Sequence, residues 1–450
     1  MSQILAWIKK YDFGIIMLLA FLVRMIGYRW MGYTNFPEFY RDYYMVSHIA
    51  HGQVVLLGPP SMLHGFHFGP FYYYSMLPMF LLFWGHPFSL IFTGIIFSVL
   101  TVYAFYKILL LWFNSRSAAI TGALFMALSV YSLHLASYVS NPNFLPLFAL
   151  WYFYYLTKVL QSRTAAFNVS SRPRSASDEW RVPSTHSQMH SGSVGMTDYI
   201  YLGLAFGLAT QLHATAAVIL PLVSIAAIIT QKYKPKPKTA AIFLAAVIFT
   251  YLPYLFFEFA NNFSNLKRLF ILGTKELSGQ HSGSGVTAVW NFFQGTLTPF
   301  NGWYTYTNIY PNYLNIIVGL LALFAAAMAL YRIFKKPRPV QTDFAISKVG
   351  GIIVLFWTVF TCTILLLFNR GVHDHYIIVL WPVPLIFLIY AIFWLKAKFN
   401  VFVPLVALIV ITSLLQIYSF WQFGHTPWSD FMPVYQQHYQ NDPTVPEIGS

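Results

Sequence analysis

The chain has 450 residues, 57% of them hydrophobic and 19% aromatic, with only 9% charged and a formal net charge of +14. Apolar runs of about 18–22 residues recur along it, the length that crosses a hydrocarbon core as helix; this excludes a soluble enzyme and predicts an all-α polytopic membrane protein. The lone Cys362 excludes an intrachain disulfide.

Taken in chain order, Lys9 and Lys10 precede a first apolar run with no small-residue cleavage site, so the first helix reads as retained. Hydropathy places spans near 13–31, 88–112, 118–139, 143–161, 198–213, 214–230, 239–259, 312–332, 349–369, 375–394 and 401–421, about eleven transmembrane helices within residues 1–421. With the N-terminus inside, most of the 27 basic residues fall in cytoplasmic loops, so the charge reports topology and implies no nucleic-acid partner. The same rule splits 198–230 into a tight pair, because one long helix would throw the Lys232–Lys238 run outside. It also lays the apolar segment 70–84 along or partly into the outer surface. Residues 162–197, rich in Ser, Arg and Pro with few apolar anchors, read as a flexible cytoplasmic linker dispensable for chemistry. Residues 422–450 form an extracytoplasmic tail.

Acids and imidazoles gather in the extracytoplasmic loops, at 32–87, 260–311 and the turn around 369–376. In the first, residues 39, 43, 46, 49 and 50 are apolar or aromatic at near-helical spacing, which predicts an amphipathic interfacial helix over 39–52. Glu38 and Asp42 fall on one face of it at i, i+4. A partly desolvated carboxylate there suits general-base work, with Arg41 to hold an anionic group; two acids at a helix start also simply favour its dipole. The 260–311 loop combines an amphipathic segment at 263–276, a Gly/Ser run from Ser278 and aromatics from Trp290 to Tyr306, suited to a lid or to interfacial anchoring. His64 and His67 at i, i+3 suit a metal as a pair but lack a carboxylate cluster beside them, while His373 and His375, flanking Asp374, stand at i, i+2, which does not put both rings on one helix face and equally suits hydrogen bonding to lipid phosphate; the metal question stays open.

The run from Glu38 to Tyr74, with E-x-x-R-D and then LLGPPSMLHGFHFGPFYYY, resembles the first periplasmic loop of polyprenyl-phosphate-sugar glycosyltransferases of the GT-C fold. It is most similar to bacterial relatives of protein O-mannosyltransferases and the lipid A aminoarabinose transferase, the family 39-like group. SNPNFLP from Ser140, GLATQLHATA from Gly207, YLPYLFFEFANNFSNLK from Tyr251 and HDHYIIVLWPVP from His373 resemble further family segments in the same order. The resemblance implies a GT-C-type bundle with interfacial helices in the first extracytoplasmic loop. The family's catalytic acid is usually an Asp opening that loop, a position that here holds Glu38; Asp42 matches a second acid of some members. Glu38 is thus the expected base and Asp42 its alternative. Arg41, His64, His67, Tyr72, Asn141, His213, Glu258, Arg370, His373, Asp374, His375 and Tyr376 are the residues expected to bind donor phosphate or substrate.

These implications amount to an inverting glycosyltransferase, hexosyl or pentosyl, acting on the periplasmic face of a bacterial inner membrane. Its partners are a polyprenyl-phosphate-linked sugar, membrane lipid and an extracytoplasmic glycan, lipid or protein acceptor. No cofactor is required, with a divalent cation as an open addition, and no P-loop or Rossmann glycine pattern is present. The competing classes are a lipid-linked-sugar flippase or transporter and an inactive scaffold. A transporter predicts internal repeats and midplane ionisable groups, whereas the polar residues here cluster at one boundary.

Overall fold

The computed structural model describes residues 2–26, 37–61, 66–170, 195–269, 271, 346–367, 378–396, 399 and 402–423. Among these the chain is helical and contains no strand. The helices are α1 (Ser2–Ile26), α2 (Pro37–Ala50), α3 (Phe71–Leu82), α4 (Phe88–Phe113), α5 (Arg116–Leu128), α6 (Val130–Ser137), α7 (Leu145–Ser170), α8 (Met196–Leu212), α9 (Ala214–Thr230), α10 (Pro237–Ala260), α11 (Lys348–Leu367), α12 (Pro382–Lys396) and α13 (Phe402–Phe423). By length and apolar composition α4, α10 and the stretch Ile378–Lys396 can each cross a membrane, and α5 with α6 can do so as one broken span. The expected span 312–332, the linker, most of the second outer loop and the tail lie outside the described residues.

Local chemistry explains the breaks. Hydropathy predicts one span over 118–139, yet α5 and α6 meet at 54°. Ser129 ends α5 and caps α6 by accepting the Ser132 N–H at 3.3 Å. The end of α5 meets Arg24, which is fully buried: its guanidinium donates to Ala127 O at 3.0 Å and, at 3.2 Å, to Met126 O, which also accepts the Ser129 N–H, while it donates to Ala20 O of its own helix at 3.0 Å and through Nε to Ser98 Oγ at 2.7 Å. A cation at a helix C-terminus also matches the dipole.

The expected division of 198–230 falls at His213, between α8 and α9, where the His213 ring accepts the Thr215 N–H at 3.2 Å. Helix α8 lies closely on α10 because Gly203 and Gly207 face it four residues apart. A Cβ on Gly203 would stand 2.5 Å from Phe243 O, and one on Gly207 would stand 2.1 Å from Thr250 Oγ1. Small residues at this spacing let membrane helices pack backbone to backbone. The core around α4 and α7 is tied by Trp112 Nε1, which donates to Thr157 Oγ1 at 2.9 Å. The segment expected along the surface forms α3, only 12 residues long, too short to span as a helix at 1.5 Å per residue.

Candidate active site

Helix α2 begins with Pro37, whose missing N–H costs nothing at a first helical position, and carries Glu38 in its first turn. The expected amphipathic face is present, but Phe39, Tyr43, Val46 and Ile49 are buried within the protein's core. Tyr43 is one reason: its hydroxyl donates to Gly85 O at 2.6 Å, just beyond α3, and its ring lies 5.4 Å from Phe80 on α3.

That docking buries Asp42 completely, whereas Glu38, one turn earlier, is exposed. The shared face read from i, i+4 spacing therefore divides between two environments. Arg41 holds Asp42 Oδ1 through Nε at 2.8 Å and through a terminal nitrogen at 2.7 Å, while the Tyr72 hydroxyl donates to Oδ2 at 2.8 Å. Burial pushes the Asp42 carboxyl up to about 6; Arg41 and Tyr72 favour the carboxylate, and the nearby Glu38 adds to the upward push. Burial opposes the Arg41 charge, but Asp42 outweighs it and raises its pKa. Two turns along α2, His48 places Nδ1 on Gln53 Oε1 and packs edge-on against Tyr44 at 4.1 Å; its buried Nε2 has no hydrogen-bond partner.

A short antiparallel ribbon leads into Tyr72. Pro60 and His67 form its bridge, Gly58 N donates to Phe68 O at 2.8 Å, and Phe68 N donates to Pro59 O at 3.0 Å. Gly69 presses on Gln211, where a Cβ would stand 2.2 Å from Oε1. That oxygen accepts the Phe71 N–H at 3.4 Å, and Gln211 Nε2 donates to Thr250 O at 2.8 Å on α10.

The other expected residues divide. His67 lies in the ribbon with Nδ1 3.1 Å from Gly58 O. Asn141 donates to Leu212 O at 2.6 Å and so closes the end of α8 beside His213; both have structural partners at helix ends. Glu258, 1% exposed at the end of α10, accepts the Leu266 N–H on Oε2 at 3.4 Å and leaves Oε1 without a hydrogen-bond partner. His64, Arg370, His373, Asp374, His375 and Tyr376 lie outside the described residues. Among the described residues no group of three or more His, Cys, Asp or Glu could hold a metal ion.

Two residues escape the sequence reading. Asn265 donates to Tyr254 OH at 2.8 Å and pairs with the His67 backbone in both directions, accepting its N–H at 2.8 Å and donating to its carbonyl at 2.9 Å. Three Asn residues within 261–265, just past a helix end, are the available signal. Arg24 is an ionisable residue in the last turn of a largely apolar helix, which by itself asks for a partner.

A helical membrane bundle with an acid-bearing helix in its first loop defines a GT-C-type fold. Solved structures with this fold include ArnT from Cupriavidus metallidurans bound to undecaprenyl phosphate, at TM-score 0.55 and 11% identity, covering 87% of this chain and 62% of that one. The archaeal oligosaccharyltransferase AglB from Archaeoglobus fulgidus, in complex with an inhibitory peptide and a dolichol-phosphate, matches at TM-score 0.52 and 13% identity over 98% of this chain and 59% of that one. The same archaeal enzyme tethered to an acceptor peptide matches at TM-score 0.51 and 12% identity, over 97% and 58%. This chain thus spans about three fifths of the length of the structures it matches. No family model and no curated protein matches the sequence.

Proposed function

We propose that the protein is an inverting glycosyltransferase that moves a sugar from a polyprenyl-phosphate donor to an acceptor at the extracytoplasmic membrane boundary. The observation that carries this reading is the buried Asp42, held by Arg41 and Tyr72 on the first-loop helix of a GT-C-type bundle. The solved structures of this fold that contain dolichol-phosphate and undecaprenyl phosphate support a lipid-phosphate donor.

In this reaction the acceptor oxygen or nitrogen attacks the anomeric carbon and gives its proton to a carboxylate. The anomeric C–O bond breaks, and its electron pair leaves with the lipid phosphate. Desolvation favours Asp42 over Glu38 as that base, because a carboxyl near pH 6 combines an ionised state at neutral pH with useful basicity. Arg41 uses Nε and one terminal nitrogen on Asp42 and keeps further N–H groups for the departing phosphate. To Glu38, exposed one turn earlier, we assign the orienting of the acceptor.

The test is transfer from a panel of radiolabelled polyprenyl-phosphate monosugars by purified protein in lipid, comparing wild type with Asp42→Asn and Glu38→Gln, with and without a chelator. Loss of transfer in folded Asp42→Asn supports the assignment. Full transfer by that variant removes Asp42 from the role, and lipid translocation without transfer of any donor replaces the transferase with a flippase.

A further inference from the structure

The ribbon that delivers Tyr72 to Asp42 is held at its far side by a residue from another part of the chain. Asn265 follows α10 and is 2% exposed. Its amide meets both backbone polar groups of His67, as a neighbouring strand would, and its remaining N–H reaches Tyr254. Every hydrogen the Asn265 amide can donate is therefore used within the protein. Alanine would take this partner from the His67 N–H, the His67 carbonyl and the Tyr254 hydroxyl, and aspartate would set an oxygen against the His67 carbonyl.

From His67 the chain has five residues in which to reach Tyr72, at most about 18 Å of backbone, and it is fixed along the way. Gly58 approaches Gly69 so closely that a Cβ on Gly58 would stand 2.0 Å from Gly69 O; Gly69 abuts Gln211; and Phe71 N rests on Gln211 Oε1. Little slack exists between the two ends. A displacement of His67 thus passes to the start of α3, where the Tyr72 hydroxyl makes its bond to Asp42 Oδ2.

We propose that Asn265 is a positioning residue for the Asp42 site: by gripping the His67 backbone it sets where the chain enters α3 and keeps the Tyr72 hydroxyl on Asp42. This rests on the reading of Asp42 as the working carboxylate of a transferase. It assigns a part in the reaction to the start of the second outer loop.

The experiment is a direct titration of Asp42 in the full chain in nanodiscs, by infrared difference spectroscopy with carboxyl-labelled aspartate, the band being assigned by its loss in Asp42→Asn. Wild type, Asn265→Ala, Tyr72→Phe and the double variant are compared. Arg41 and Glu38 on α2 and Tyr72 and Tyr73 on α3 face Asp42, and all four are unchanged in the Asn265 single variants. The expected result is an upward shift in Asn265→Ala, in the direction of Tyr72→Phe, with the double variant moving no further than Tyr72→Phe alone. Asn265→Ser, which keeps one of the bonds, gives a smaller shift and replaces alanine if that variant fails to fold. An unmoved Asp42 titration in a folded variant, even with a lowered melting temperature, overturns the proposal, as does an additive shift in the double variant. Sugar transfer is followed in the same samples: absence of turnover in wild type defeats the transferase reading, while the titration still judges the clamp.

Discussion

The Tyr72 hydroxyl donates to Asp42 Oδ2 at 2.8 Å, joining the opening turns of two helices thirty residues apart in the chain. Burial raises this carboxyl to about 6 against the pull of Arg41 and, after it, of the Tyr72 bond, both of which favour the ionised form. A base must be ionised to accept a proton, so kcat/KM should fall as pH drops through about 6. Tyr72→Phe removes a partner of the charged form and should move this acidic limb to higher pH by about one unit. Asp42→Asn should abolish the limb and lower kcat by about 10²–10⁴-fold. A pH–rate profile of all three proteins checks this, and a limb unchanged in Tyr72→Phe counts against it.

Gly203→Ala should open the α8–α10 contact, because the added Cβ would stand 2.5 Å from a backbone carbonyl that cannot rotate away. Forcing a carbon into such a contact costs about 1–3 kcal/mol. Thermal unfolding in detergent should show the loss, whereas Gly14→Ala, whose Cβ meets nothing within 4 Å, serves as the control.

Arg24→Leu should be worse. It strips partners from three buried carbonyls and the Ser98 hydroxyl, a cost of about 2–5 kcal/mol. Arg24→Lys keeps the charge but not the planar fork, so it should recover only part of the stability. An unaltered melting curve for Arg24→Leu would remove the explanation given for the break at Ser129.

Removing residues 172–192 should leave sugar transfer and melting unchanged. The helices on either side are joined independently of that segment: Lys158 Nζ on α7 lies 2.5 Å from Asp198 Oδ1 at the start of α8. Activity measured on the deletion protein decides this, and a loss of transfer would assign the linker a part in function.

Elements whose cause is local were legible in the sequence. The apolar spacing of residues 39–50 pointed to helix α2, and the balance of loop charges to a division of 198–230, which falls at His213. The break at Ser129 was not legible, because scattered Ser, Thr and His leave 118–139 apolar enough to read as one span, and the group that meets the end of α5 sits about a hundred residues earlier, at Arg24. The site divides in the same way. E-x-x-R-D drew attention to the start of α2, yet the contrast between exposed Glu38 and buried Asp42 arises only when α2 docks on α3 through Tyr43. Asn265 was hidden because both backbone groups it holds lie 198 positions away.

Arg24 also constrains how the protein is made. When α1 enters the bilayer its guanidinium has the Ala20 carbonyl within reach, but the Ala127 and Met126 carbonyls and the Ser98 hydroxyl belong to helices not yet synthesised. Because Arg24 stands in the last turn of α1, a lone first helix can turn the charge toward the headgroups. Its buried place is completed only when α4 and α5 arrive, so the setting of this helix end is a late step that joins three helices.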